Sequence, residues 1–221
     1  MVASAVLLMP AAAFAHGLAR GDARFLQTLQ GVAVAPLMYL GAKHMVTGYD
    51  HLLFLAGVIF FLHRVKDIVL YVTLFTVGHS ITLLAGVLGG IHANPFIIDA
   101  IIGLSVVYKA FDNVDGFRRT VGWQPDARAA VLVFGLFHGF GLATKLQDFA
   151  LPANGLVANI VSFNAGVEIG QALALAAILI GLTIWRTQPG FVKHALLTNA
   201  ALMTGGFLLI GYQLTGFFLA R

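Results

Sequence analysis

Ile68-Val-Leu-Tyr-Val-Thr-Leu-Phe-Thr-Val-Gly-His79-Ser-Ile-Thr-Leu-Leu-Ala-Gly-Val-Leu-Gly-Gly90-Ile-His92-Ala-Asn-Pro95-Phe-Ile-Ile98 runs without one Asp, Glu, Lys or Arg. A membrane-spanning helix needs about 20 predominantly apolar residues. This stretch holds one such helix at 68–90, a Gly89-Gly90…Asn94-Pro95 turn, and the start of another at 96–111. Outward from it the pattern repeats. A span at 44–63 stops at His63-Arg64-Val65-Lys66, and a polar loop from Asp112 to Asp126 precedes spans at 127–146, 155–185 and 195–219. Breaks at Pro152–Gly155 and Gln188-Pro189-Gly190 separate the last three.

The composition supports the same architecture. Charged residues make up 10% of the 221-residue chain and hydrophobic residues 59%, against about 25% charged in a soluble domain. A soluble surface with so few charges would expose large apolar patches, whereas lipid accepts them. A soluble enzyme is excluded on this ground. A net charge of +4, with no basic cluster longer than Arg118-Arg119, gives nucleic acid nothing to bind. Cys is absent, so thiolate sites and disulfides are excluded as well. The expectation is an all-α, polytopic integral membrane protein with about six transmembrane helices after an N-terminal signal peptide.

Residues 1–15 read as that signal, with Ala13-Phe14-Ala15 as the cleavage site. Residues 16–43 follow as a periplasmic amphipathic or re-entrant segment, because Lys43 alone leaves no turn between two antiparallel spans. The six-helix domain then occupies 44–221. With the mature N-terminus outside, eight basic residues (Arg64, Lys66, Lys109, Arg118, Arg119, Arg128, Arg186, Lys193) fall inside and five outside. This agrees with the positive-inside rule and puts both termini in the periplasm.

Ionisable side chains at bilayer depth are costly and serve function by default. Span one carries His44-Met-Val-Thr-Gly-Tyr-Asp50-His51, with the two His seven residues apart. That is two turns of an unbroken helix, about 10 Å. Asp50 points about 100° away from His51 on such a helix, and Gly48 offers a place to relax the turn. Span two brings His79, span four His138 among Gly135, Gly139 and Gly141, and span five Glu168 in an Asn164, Glu168, Gln171 stripe. All lie in the outer half of their spans or near the midplane, so they can form one outward-opening pocket. Imidazole and carboxylate without thiolate suit a borderline divalent ion such as Ni²⁺, Co²⁺ or Zn²⁺ better than Cu⁺. The blander role for His79, His138 and Glu168 is hydrogen bonding between helices. His63, His92 and His194 read as surface residues, and Asp99 as a helix-start residue. No two His are three or four residues apart, which removes H-E-x-x-H proteases and histidine-box desaturases.

His44-x5-Asp50-His51 resembles the H-x5-D-H motif of the HupE/UreJ family of hydrogenase- and urease-associated membrane proteins. Phe137-His138-Gly139-Phe140-Gly141-Leu142-Ala143 resembles that family's F-H-G-x-A-H-G motif, with Leu142 where the second His falls. Phe163-Asn164-Ala165-Gly166-Val167-Glu168-Ile169-Gly170-Gln171 and Gly78-His79-Ser80 are similar to signatures of a related branch. The resemblance spans about Leu37 to Trp185. It implies a nickel or cobalt permease of the bacterial inner membrane, not an enzyme, with His44, Asp50, His51 and His138 in metal recognition. His79 and Glu168 complete the candidate metal set. The departure at Leu142 leaves the choice among Ni, Co and Zn open. The implied partners are the metal ion and the lipid bilayer, with a second copy or an associated metalloenzyme as further candidates. An accessory subunit holding a structural metal, and less readily an intramembrane metal-dependent enzyme, are the alternatives.

Overall fold

Two helix starts among the described residues are marked by side chains that accept from the first free backbone N–H groups. Asn94 Oδ1 accepts from Phe96 and Ile97, with Pro95 at the first helical position. Asp126 Oδ1 accepts from Arg128 and Ala129 at 2.8 and 2.9 Å, which holds its carboxyl below the usual range. The computed structural model describes residues 31–147 and 154–220. The expected signal and its cleavage site lie outside them, as does the first half of segment 16–43. Among the described residues the helices are α1 (Val34–Thr47), α2 (Tyr49–Ile59), α3 (Val65–Leu88), α4 (Pro95–Asn113), α5 (Gly116–Val121), α6 (Ala127–Gln147), α7 (Leu156–Arg186) and α8 (Phe191–Leu219).

Four of these, α3, α6, α7 and α8, are long and apolar enough to cross a membrane. Their outward faces carry exposed Val77, Ile81, Ile180, Ile184, Phe207 and Leu208, as contact with lipid requires. The other two expected spans take a different form. The 96–111 segment is the helix α4, but Asp99, Lys109 and Asp112 keep it out of the apolar class. The 44–63 segment is not one helix. Its helical run begins at Val34, breaks at Gly48 and ends at Ile59, so the expected boundary at 43/44 falls inside α1. No turn was needed after Lys43 because the helix continues through it. Pro36 does not interrupt α1, since it sits in the first turn, where its N–H would have no partner.

Glycines join the helices in pairs. A Cβ on Gly41 would lie 2.0 Å from Phe163 O, and one on Gly166 would lie 2.0 Å from Met38 O, so α1 and α7 touch backbone to backbone. Gly78 against Leu132 O, with Gly135 against Phe75 O and Gly139 against His79 O, does the same for α3 and α6. Gly103 and Gly206 face each other's carbonyls in the pair α4 and α8. Between α3 and α7 the join is polar instead: Thr76 Oγ1 donates to Gln171 Oε1, and Ser80 Oγ to Asn164 Oδ1, both at 3.1 Å.

Two apolar clusters fill the interior. One gathers Leu40, Met45, Leu55, Leu83, Leu142 and Phe163, and the other Phe54, Val58, Ile59, Phe75 and Val131. On α3 the order Phe75, His79, Leu83 steps from the second cluster to the first, one turn at a time. The histidines therefore lie in a layer between the two.

Candidate metal site

The break at Gly48 builds this layer. Gly48 has φ −75° and ψ 107°, an extended conformation that ends α1 and starts α2. Its neighbours leave no room for a side chain: a Cβ there would lie 2.8 Å from His51 Nδ1, 3.0 Å from Asp50 Oδ1 and 3.1 Å from His44 O. The break swings His51 back toward His44, and their ring centroids are 5.1 Å apart. That replaces the roughly 10 Å of two intact turns.

Two other helices close on this pair. His138 from α6 stands 4.9 Å from His51, centroid to centroid, and His79 from α3 stands 6.3 Å away. His44 is 4% exposed, His79 1%, and His51 and His138 0%, so four imidazoles from α1, α2, α3 and α6 share one buried space. Phe54 and Phe75 pack on His138 at 5.4 and 5.0 Å, and Phe163 lies 6.2 Å from His44. These rings bound the site with apolar walls.

Two polar neighbours orient the rings. Asp50, 3% exposed in the first turn of α2, accepts through Oδ1 from His51 N at 2.9 Å and meets His51 Nδ1 at 3.1 Å. The carboxylate thus folds back onto its neighbour, which the 100° separation on a regular helix had argued against. On the far side Ser105 of α4, which is outside the expected metal set, places Oγ 3.2 Å from His138 Nε2. The signal for it was slight: one small polar residue on the buried face of α4.

Glu168 is outside this group. It is exposed on α7, and its Oε1 accepts from Asn164 Nδ2 at 3.2 Å. The Asn164, Glu168, Gln171 stripe splits accordingly: Asn164 and Gln171 turn to α3 as interhelical partners, and Glu168 is exposed while the histidines are buried. Asp99 does not start its helix, because Asn94 fills that role. It pairs with Lys145 Nζ at 2.7 Å and accepts from Gln213, joining α4, α6 and α8. His63, His92 and His194 are exposed, as expected of surface residues. Leu142, at the place of the second motif His, is fully buried among Leu40, Met45, Leu55 and Leu83.

The spacing of the cluster can be compared with that of a bound ion. With a metal–nitrogen distance of about 2.1 Å, tetrahedral imidazole ligands place their ring centroids roughly 5 Å apart. Two of the contacts to His51 have that size. Even so, no group of three or more His, Asp or Glu side chains among the described residues is already gathered at ligand geometry. Rotation of the rings within the layer is what an arriving ion would require.

A family model described as HupE / UreJ protein matches residues 20–221. No curated protein matches, and no solved structure does.

Proposed function

The chain belongs to the HupE/UreJ family, and on that premise we propose that it is a membrane permease for a divalent transition-metal ion, with nickel or cobalt as the cargo. The observation that carries this reading is the convergence of His44, His51, His79 and His138, from four helices, in one buried layer. Buried imidazole clusters are costly in an apolar span and match the nitrogen preference of Ni²⁺, Co²⁺ and Zn²⁺. Asp50 adds a negative charge beside His51 and holds its ring by the Nδ1 contact, as carboxylates do behind metal-bound histidines. Glu168 is left out of the ligand set because it is exposed while the four histidines are buried.

In this reading the ion exchanges part of its water shell for imidazole nitrogens between α1 and the α3/α6 pair. A potential negative inside favours its entry by about 2.3 kcal/mol per elementary charge per 100 mV. The periplasmic termini and inner-membrane location follow from the distribution of basic residues and belong to the same proposal. The competing role, an accessory subunit with a structural metal, differs in outcome: it retains metal at fixed stoichiometry and moves none.

The test is accumulation of Ni, Co, Zn, Mn and Cu by cells expressing wild type, Asp50→Asn, His51→Ala or His138→Ala, with the membrane level of each variant measured alongside. Loss of accumulation of one metal at unchanged protein level is the expected result. Wild-type accumulation by all three variants would overturn the reading.

A further inference from the structure

Ser105 has one hydroxyl proton and two neighbours for it. Its Oγ lies 2.6 Å from the carbonyl oxygen of Ile102 and 3.2 Å from His138 Nε2, at a position with no exposure to solvent. Two oxygens at 2.6 Å need a proton between them, and this distance is ordinary for O–H···O. The hydroxyl therefore donates to Ile102 O. At its second contact Ser105 is left with lone pairs only, so His138 Nε2 must bring the proton. A neutral imidazole carries one N–H, so the lone pair of His138 is then on Nδ1.

We infer that Ser105 is a positioning residue that fixes His138 as its Nε2–H tautomer and thereby makes Nδ1 the nitrogen offered to the metal ion. The ligand half of this statement rests on the permease reading above; the tautomer half does not. His51 is set the opposite way. Its Nδ1 faces the Asp50 carboxylate, which accepts the ring proton and leaves Nε2 for the ion. The site thus presents one histidine through each kind of nitrogen. Nδ1 lies closer to the backbone than Nε2, so His138 would hold the ion near α6 while His51 reaches toward it. The ring cannot readily turn over to exchange its nitrogens, since Phe54 and Phe75 pack against it and it is fully buried.

Outer partners of this kind typically contribute 10–100-fold to metal affinity. The experiment uses full-length protein in lipid nanodiscs with ¹⁵N-labelled histidine rings. Long-range ¹H–¹⁵N spectra report which nitrogen of each ring carries the proton, and His138→Gln identifies the His138 signals. In wild type the His138 signals should be those of Nε2–H. Ser105→Ala should convert them to Nδ1–H or to a mixture of the two, and should lower the affinity for added NiCl₂ or CoCl₂ by 10–100-fold. Ser105→Thr, which keeps the hydroxyl, should restore both. A purely structural role for Ser105 would leave the tautomer unchanged.

An Nδ1–H signal for wild-type His138, or a Ser105→Ala protein with unaltered tautomer and affinity, would overturn the inference. Wild-type protein that binds neither ion would overturn the permease reading and the ligand half with it. The spectrum decides the tautomer half in either case.

Discussion

Gly48→Ala isolates the contribution of the helix break. The backbone at Gly48, φ −75° and ψ 107°, is open to any residue, so alanine meets no torsional penalty there. The obstacle is space. The new methyl would lie 2.8 Å from His51 Nδ1 and 3.0 Å from Asp50 Oδ1, where unstrained contacts to carbon are about 3.5 Å or longer. The His51 ring must retreat by roughly 0.7 Å and the carboxylate by roughly 0.5 Å on that scale. A 3.1 Å contact stretched by such amounts is no longer a hydrogen bond. Overpacking costs about 1–3 kcal/mol, and loss of the carboxylate behind a metal-bound histidine lowers affinity by about 10–100-fold. Alanine is also the better helix former by about 1 kcal/mol, which favours joining α1 to α2 and drawing His44 away from His51. The assay is Ni²⁺ and Co²⁺ binding to purified protein by calorimetry, with Gly181→Ala as the comparator because a Cβ there has nothing within 4 Å. Gly181→Ala should bind as wild type does. A Gly48→Ala protein that also binds as wild type, at equal thermal stability, would refute the reasoning.

Gly139→Ala should lower both membrane level and melting temperature, because its Cβ would lie 2.2 Å from His79 O and Thr82 Oγ1 and would force α3 from α6. Lys145→Met should destabilise the protein by about 3 kcal/mol in chemical unfolding, since it strands the largely buried Asp99 carboxylate. The double variant Asp99→Leu/Lys145→Met should recover much of that loss. Glu168→Gln should accumulate metal as wild type does, and a loss comparable to that of His51→Ala would return Glu168 to the ligand set. Asp126 has a lowered folded pKa, so its cap contributes fully above the unfolded value of about 3.9 and is lost as pH falls through the folded one. Melting curves between about pH 6 and pH 2 should therefore show a shallower acid limb for Asp126→Asn, whose amide oxygen caps without titrating.

The candidate site was legible where burial cost could be read from residue type. His44, Asp50, His51, His79 and His138 stood out because nothing but partners or a ligand justifies them in apolar spans. Glu168 passed the same filter and failed, because spacing on one helix does not say which neighbour covers that face. Its stripe mates Asn164 and Gln171 found α3, while Glu168 remained outside. The break at Gly48 was visible only as an option, since its backbone angles are common ones and its necessity comes from the Asp50–His51 contact folded over it. The polar α4 was read as a span on length, and its charges found their partners in Lys145, Gln213 and Gln124. Which helices pair could not be read, although the glycines that decide it were all in view.

Those backbone-to-backbone pairs have a mechanical consequence. Helices touching through glycine cannot slide or tilt against each other without collision, so each pair behaves as a stiff strut. His44 rides on the strut of α1 and α7, whereas His79 and His138 ride together on that of α3 and α6. An ion held by imidazoles from both is a rivet between two rigid parts, and it favours whatever arrangement brings them together. On the permease reading, losing the ion would unfasten them, so the cargo itself would act as the catch between the two parts.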